Sequence, residues 1–375
     1  MNILIFLIIL LVLVVSHEFG HFIVAKLNKI RVDEFSFGFP PKLFGKKVGE
    51  TTYNFNLLPL GGYVKIFGQG SDDFPGQNGQ EAITDSDKER SFVNKPRYVQ
   101  AMVLLAGVAM NFLVAWLLLS IGFMSGLPSS AEVAPRGAIV EDQALTIVSV
   151  SPNSPAEKAG LEIGDKILAL ETSSDTTKII SSNFTAETVQ NFVKKNGSEE
   201  INFSITRGKE DLGIKVTPEI SESSGSSFVG ISMDMIGKLK LPIHKAIWEG
   251  LKLSGDLTVK IAVGFYTLIR DGVTGKGDLS SVTGPVGIVG VVGDAASFGF
   301  IYLLSFTALI SINLVIINLI PFPALDGGRL LFLLIEKIKG SRINPKVSNM
   351  VNMIGFGILM LFMVIITYHD IVKLF

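Results

Sequence analysis

The stretch ILIFLIILLVLVVSHEFGHFIVA, residues 3–25, decides how the rest of the chain reads. It is long enough to cross a bilayer, which takes about 20 apolar residues at about 1.5 Å each. It is polar only around the run His17, Glu18, Phe19, Gly20, His21. Histidines four apart share one helix face, so both imidazoles can hold one metal ion. A glutamate beside the first histidine can take a proton from water that the metal activates. His17 lies about 14 residues into the helix, roughly 20 Å from its outer end. Ionisable groups at that depth are costly, so they are expected to face a bundle interior or a wet cavity. The position suggests hydrolysis at membrane depth.

Composition agrees with a membrane protein that carries some soluble mass. The 375 residues are 48% hydrophobic and only 18% charged, with a mean hydropathy of +0.46. A net charge of -1 gives no whole-chain attraction to nucleic acid, and no nucleic-acid partner is expected. The absence of cysteine excludes disulfides, cysteine-ligated zinc and a thiol nucleophile. Histidine occurs only at 17, 21, 244 and 369, so a third metal ligand is expected to be a carboxylate. No Lys or Arg precedes Lys26, and a signal peptide needs a basic start. Cleavage would also discard the histidines, so residues 3–25 are read as a retained first span.

Three more spans are expected, at about 99–122, 300–320 and 351–368. Basic residues set the orientation. Lys26, Lys29, Arg31, Lys88, Arg90, Lys95 and Arg97 flank the first loop, and Arg329, Lys337, Lys339, Arg342 and Lys346 fill the last. Both short loops should face the cytoplasm. Both termini and the region between spans two and three should be extracytoplasmic. The chain then divides into four segments: 1–125 with two spans and a cytoplasmic loop, 126–218 as a compact domain, 219–299 as a linker, and 300–375 with two spans.

Within 126–218, ALTIVSV, INFSITRG and LGIKVTPEI read as strands and TAETVQNFVKKNG as an amphipathic helix. SPAEKAGLEIGD contains Ser154, Pro155, Ala156, Ala159, Gly160, Leu161, Gly164 and Asp165. This order resembles a circularly permuted PDZ domain of bacterial proteases, which implies peptide binding in a groove. In the linker, Ile243, Ile247, Leu251, Ile261 and Phe265 mark one apolar helix face, suited to a membrane surface. The run SVTGPVGIVGVVGD, 281–294, is apolar but Gly-rich and reads as broken, re-entrant or clamp-like.

The missing ligand is sought in NLIPFPALDGG, 318–328. Pro321 and Pro323 forbid a regular helix there, and Gly327 and Gly328 loosen the chain beyond them. Asp326 is the sole carboxylate between Asp294 and Glu336 and sits at the predicted depth of the histidines. Two imidazoles and a carboxylate leave one tetrahedral position open, which suits zinc. Manganese and iron remain compatible by ligand type.

HEFGH together with NLIPFPALDGG resembles the site-2 protease family of intramembrane zinc metalloproteases. The PDZ-like insert makes the chain similar to the bacterial regulator-of-sigma-E protease group, in the shorter layout with one such domain. The resemblance implies a four-span protein of the bacterial cytoplasmic membrane. It implies Zn2+ held by His17, His21 and Asp326, with Glu18 as general base. Asn318 matches the asparagine that helps position substrate, and Gly107 and Asn111 match a Gly-x-x-x-Asn feature of the second span. TTYNFNLLPLGGYVKIFG, 51–68, matches a membrane-associated β-hairpin that pairs with unwound substrate. Implied partners are single-span membrane proteins, of anti-sigma-factor or remnant-signal-peptide type, besides the lipid bilayer and a peptide ligand of the PDZ-like domain. Two alternatives stand beside this reading. An inactive peptide-binding scaffold would not need every catalytic group, and a transporter would show paired repeats, which are not found.

Overall fold

The computed structural model describes residues 1–69, 88–130, 138–172, 179–180, 185–197, 199–208, 210–220, 225–275 and 283–372. Ser281 and Val282, which open the Gly-rich run, lie outside them. The chain forms two units, Met1–Leu119 with Gly250–Gly293 and Phe306–Phe375, and Ser120–Glu249 with Asp294–Ser305.

Among the described residues the α-helices are, in chain order, α1 Asn2–Leu27, α2 Arg97–Ser125, α3 Pro155–Ala159, α4 Ala186–Lys195, α5 Ile243–Val273, α6 Pro285–Phe298, α7 Phe300–Leu319, α8 Asp326–Lys339 and α9 Pro345–Val372. Among the described residues, four helices are long and apolar enough to cross a membrane: α1, α2, α7 and, from Lys346, α9. This makes a multi-pass membrane protein. The last helix is longer than the expected 351–368, because Pro345 supplies a fixed φ suited to a helix start.

Helix α1 is apolar all round, as a membrane helix must be. One stripe still differs from the rest. Ile9, Leu13, His17, Gly20, His21 and Ala25 are buried, while Ile8, Val12, Phe19 and Ile23 are exposed. A Cβ on Gly20 would collide with the carbonyl oxygen of Ala106 on α2. A small residue there lets two helices approach closely, which is how membrane helices gain packing. Further along α2, Ala115 and Leu119 pack on Ala308 and Ile312 of α7.

The first loop forms a sheet of β1 Val32–Val48 and β2 Thr51–Ile66. Phe35 lies beside both Val64 and Tyr53, so the first half of β1 is flanked on two sides by β2. The second half, Lys42–Val48, pairs with Thr51–Asn56. The stretch around Pro59, Gly61 and Gly62 is therefore where β2 passes from one side of β1 to the other. Ala25, Ile30, Val32, Ile66, Phe92, Val99, Val103 and Leu104 form the core that ties this sheet to the ends of α1 and α2. At its rim Glu50 pairs with Lys26 and Arg90. Burial alone would raise the Glu50 pKa, but hydrogen bonds from those two cations hold it below the usual glutamate range. Their stabilisation is complete above the ordinary glutamate pKa and fades as pH falls through the depressed one.

Two expectations for the linker change. The Gly-rich run is a helix, α6, and not a broken segment. Its unpaired first N–H groups, a cost at any helix start, are met from outside. Gly284 and Gly287 donate to the buried carboxylate of Asp370 on α9, at 3.1 and 2.9 Å. Its glycines give close approach, since a Cβ on Gly284 or Gly293 would strike Ile366 or Asn2. Helix α5 divides the expected face. Ile261 and Phe265, joined by Leu253 and Leu257, pack on α2 and α7, whereas Ile243 and Ile247 are exposed.

The second unit is built on β3 Leu127–Ser130, β4 Ile139–Val150, β5 Lys166–Thr172, β6 Ile179–Ile180, β7 Ile201–Arg207, β8 Glu210–Val216 and β11 Ile231–Lys240. The sheet order is β3-β11-β4-β5-β7-β8, with β6 beside β5; β9 Glu219–Ile220 and β10 Ser227–Phe228 pair separately. Strand β11 falls in the stretch read as linker. Its partners β3 and β4 lie about a hundred residues earlier, and such long-range pairing leaves little local signal. Because β3 follows α2 and β11 precedes α5, the chain enters and leaves this sheet on neighbouring strands. The core includes Leu145, Ile147, Ile167, Leu170, Val189, Phe203 and Ile205.

SPAEKAG forms a capped helical turn. The Ser154 hydroxyl accepts from the Glu157 N–H, Pro155 opens α3, and Gly160 closes it at φ 87°. Downstream, Asp165 is fully buried and takes two hydrogen bonds of 2.7 Å from Arg207. A bidentate guanidinium–carboxylate pair is strong and directional. Removing the cation strands a buried charge, so Arg207→Ala is expected to destabilise this unit by about 3 kcal/mol. Calorimetry of the full chain in detergent checks this; an unchanged unfolding transition would contradict the argument.

Candidate metal centre

The buried stripe of α1 carries His17 and His21 inward, one turn apart, as their spacing requires. Asp326 reaches them from the other end of the sequence. After α7 ends at Leu319, Pro321 and Pro323 hold the chain out of helix, as expected. Ala324 adopts φ 74°, and its N–H donates to Asn352 Oδ1 at 3.2 Å. Helix α8 then starts at Asp326 itself. Gly327 and Gly328 do not loosen this turn. They occupy the first turn of α8, where a Cβ would collide with the carbonyl oxygens of Ile320 and Phe322. Only glycine lets the turn fold back this tightly, and the fold-back presents Asp326 to α1.

The outcome is a triangle of ligand atoms. His17 Nε2 lies 3.1 Å from Asp326 Oδ2, His21 Nε2 lies 3.2 Å from the same oxygen, and the two Nε2 atoms are 3.1 Å apart. Zinc with metal–ligand bonds of about 2.0–2.2 Å would want tetrahedral edges of about 3.3–3.6 Å. The observed edges come within a few tenths of that. Among the described residues this is the cluster of three metal-ligating side chains. The donor set of two imidazoles and one carboxylate therefore fits a divalent ion.

Helix α2 supports the histidines from behind. His21 Nδ1 donates to the Val103 carbonyl at 2.8 Å, which leaves Nε2 as the electron-pair donor. Asn111, fully buried, faces His17 Nδ1 at 3.2 Å. Between them Gly107 leaves the space that the rings fill: a Cβ there would sit 2.5 Å from His21 Nε2 and 2.7 Å from His17 Cε1.

Glu18 is half-buried beside the triangle and is held by the sheet. Its Oε2 accepts from the Val64 N–H of β2 at 3.0 Å. One of its two oxygens is thus anchored to the sheet. This tie is invisible in sequence, because any residue but proline at 64 offers the same N–H. The Val103 carbonyl is equally silent. Asn318 sits half-buried in the last turn of α7, and its side chain makes no hydrogen bond among the described residues. The structure brings His17, His21, Glu18 and Asp326 together and leaves Asn318 apart from their hydrogen-bond network.

Comparison with known proteins gives a consistent result. The model of peptidase family M50 matches residues 5–362. A chain from Clostridium acetobutylicum is 35% identical over 363 residues, covering 96% of this chain and 94% of that one. The regulator of sigma-W protease RasP of Bacillus subtilis is 30% identical, covering 99% and 98%. The zinc metalloprotease RasP of Geobacillus kaustophilus is also 30% identical, covering 99% and 97%.

Gly107 gives a direct check of the packing argument. Gly107→Ala should push both rings off the triangle and lower bound metal at least about 10-fold, since misplaced ligands lose affinity on that scale. Metal analysis of the purified, folded variant reads this; full metal content would show that the rings have room to spare.

Proposed function

The chain belongs to peptidase family M50, the site-2 type of zinc metalloprotease, and on that premise we propose that it hydrolyses peptide bonds in or near the membrane span of single-span proteins. His17, His21 and Asp326 hold the zinc, and Glu18 is the general base. The observation that carries this is the triangle of ligand atoms with Glu18 tethered beside it.

Bound zinc supplies a Lewis acid that acidifies water and polarises a carbonyl. Glu18 takes the proton of the attacking water and passes it to the leaving amine. Val64 keeps the carboxylate in place for both transfers. Asn318, with an amide free of other partners among the described residues, donates to the substrate or to the developing oxyanion. A helical substrate hides its carbonyls in its own hydrogen bonds, so it must unwind first. The edge of β2 around Gly62–Ile66 lies next to Glu18 and can pair with the unwound strand.

The second unit acts as a PDZ-like domain outside the cytoplasm. A groove lined by Val189 and Val193 of α4 and by Phe228, Val229, Ile231 and Met233 is its peptide seat. The domain restricts access to substrates whose outer part has already been trimmed. Anti-sigma factors and remnant signal peptides fit this description, in a bacterial cytoplasmic membrane with both termini outside.

The test is cleavage of a single-span reporter in membranes. Glu18→Gln should lower the rate by about 10²–10⁴-fold while the zinc stays bound; equal product from both proteins would overturn the assignment of Glu18. The same reporter, carrying an intact folded outer domain, should be cut at least about 10-fold more slowly than its trimmed form. Equal rates would remove the filtering role.

A further inference from the structure

Asn111 is buried in the membrane helix α2, faces a proposed zinc ligand, and has no role so far. Its backbone carbonyl accepts from Ser311 Oγ at 2.8 Å, which fixes α2 against α7 at this level. Its side-chain nitrogen faces His17 Nδ1 at 3.2 Å, and its side-chain oxygen is buried with no hydrogen-bond partner. A half-satisfied buried amide is costly.

The two ends of an amide are alike in shape, so the hydrogen-bonding partners decide which way it points. With the nitrogen donating to Nδ1, the proton of a neutral His17 must sit on Nε2. That proton would point at Asp326 and His21, where a metal ligand needs a free electron pair. With the amide turned over, Oδ1 accepts the proton of Nδ1, and Nε2 offers its electron pair to the triangle. The number of hydrogen bonds is the same either way, because the amide nitrogen then takes the unpartnered place. Metal binding therefore breaks the tie. His21 meets the same need through the Val103 carbonyl, which can only accept. Val103, Gly107 and Asn111 are spaced by four, so one stripe of α2 orients one ring, makes room for both, and orients the other.

We propose that Asn111 is a positioning residue for the metal centre, accepting the Nδ1 proton of His17 through Oδ1 and so presenting Nε2 to the zinc. The inference rests on the reading of His17, His21 and Asp326 as zinc ligands.

The experiment measures zinc affinity of the full chain in detergent, by competition with a chromophoric chelator, with no substrate present. Four proteins are compared: wild type, Asp326→Ala, Asn111→Leu and Asn111→Asp. Leucine keeps the volume but cannot accept, so its zinc affinity should fall about 10–100-fold. Aspartate keeps the acceptor and cannot donate, so its affinity should equal or exceed that of wild type. A purely structural role for the amide would not be rescued by a buried carboxylate. Wild-type affinity in Asn111→Leu, or the same loss in both Asn111 variants, overturns the inference while a loss in Asp326→Ala upholds the metal centre. Unchanged zinc binding in Asp326→Ala overturns the ligand set and the inference with it.

Discussion

Three electron-rich atoms, one of them from an aspartate 309 residues along the chain from His17, converge within 3.2 Å of one another. Without a cation such a grouping in a membrane helix is unfavourable, because each atom is removed from water and they repel one another. The rest of the first unit can be understood as the frame that holds this grouping in place. Gly20 brings α1 against α2, the proline-broken turn brings α8 back to α1, and Gly327 and Gly328 let that turn close. Each is a backbone approach that a larger side chain would prevent.

Support for the centre comes from two backbone groups on different elements. The Val103 carbonyl of α2 and the Val64 N–H of β2 orient His21 and Glu18. Rigid elements place a group more accurately than loops do, which matters for proton transfer over a single hydrogen bond. The sheet of the first loop thus has two roles. It packs on the ends of α1 and α2 through Val32, Ile66 and Val99, and it fixes the carboxylate beside the triangle.

The second unit obeys water-soluble rules. Its core is a cluster of Ile, Leu, Val and Phe beneath an antiparallel sheet, its short helix is capped at both ends, and its buried carboxylate Asp165 is matched by an arginine. The membrane helices obey the opposite pattern, with apolar residues facing outward and polar ones inward.

Sequence by itself determined the membrane class, four helices long and apolar enough to span, and the shared inward stripe of His17 and His21 on α1, because hydrophobicity and helical spacing are local properties. Pro321 and Pro323 likewise announced the break that frees Asp326. Gly107 and Asn111 were legible only through resemblance, without a role. Only the tertiary structure decided the features that depend on distant partners. It recruited Ile231–Lys240 into the sheet, made a helix of the Gly-rich run by lending it Asp370, and turned Gly327 and Gly328 from looseners into close contacts. It also gave Glu18 its tether and His17 its amide. Those pairings join backbone groups and side chains far apart in the chain, and a linear pattern carries no record of which of them will meet.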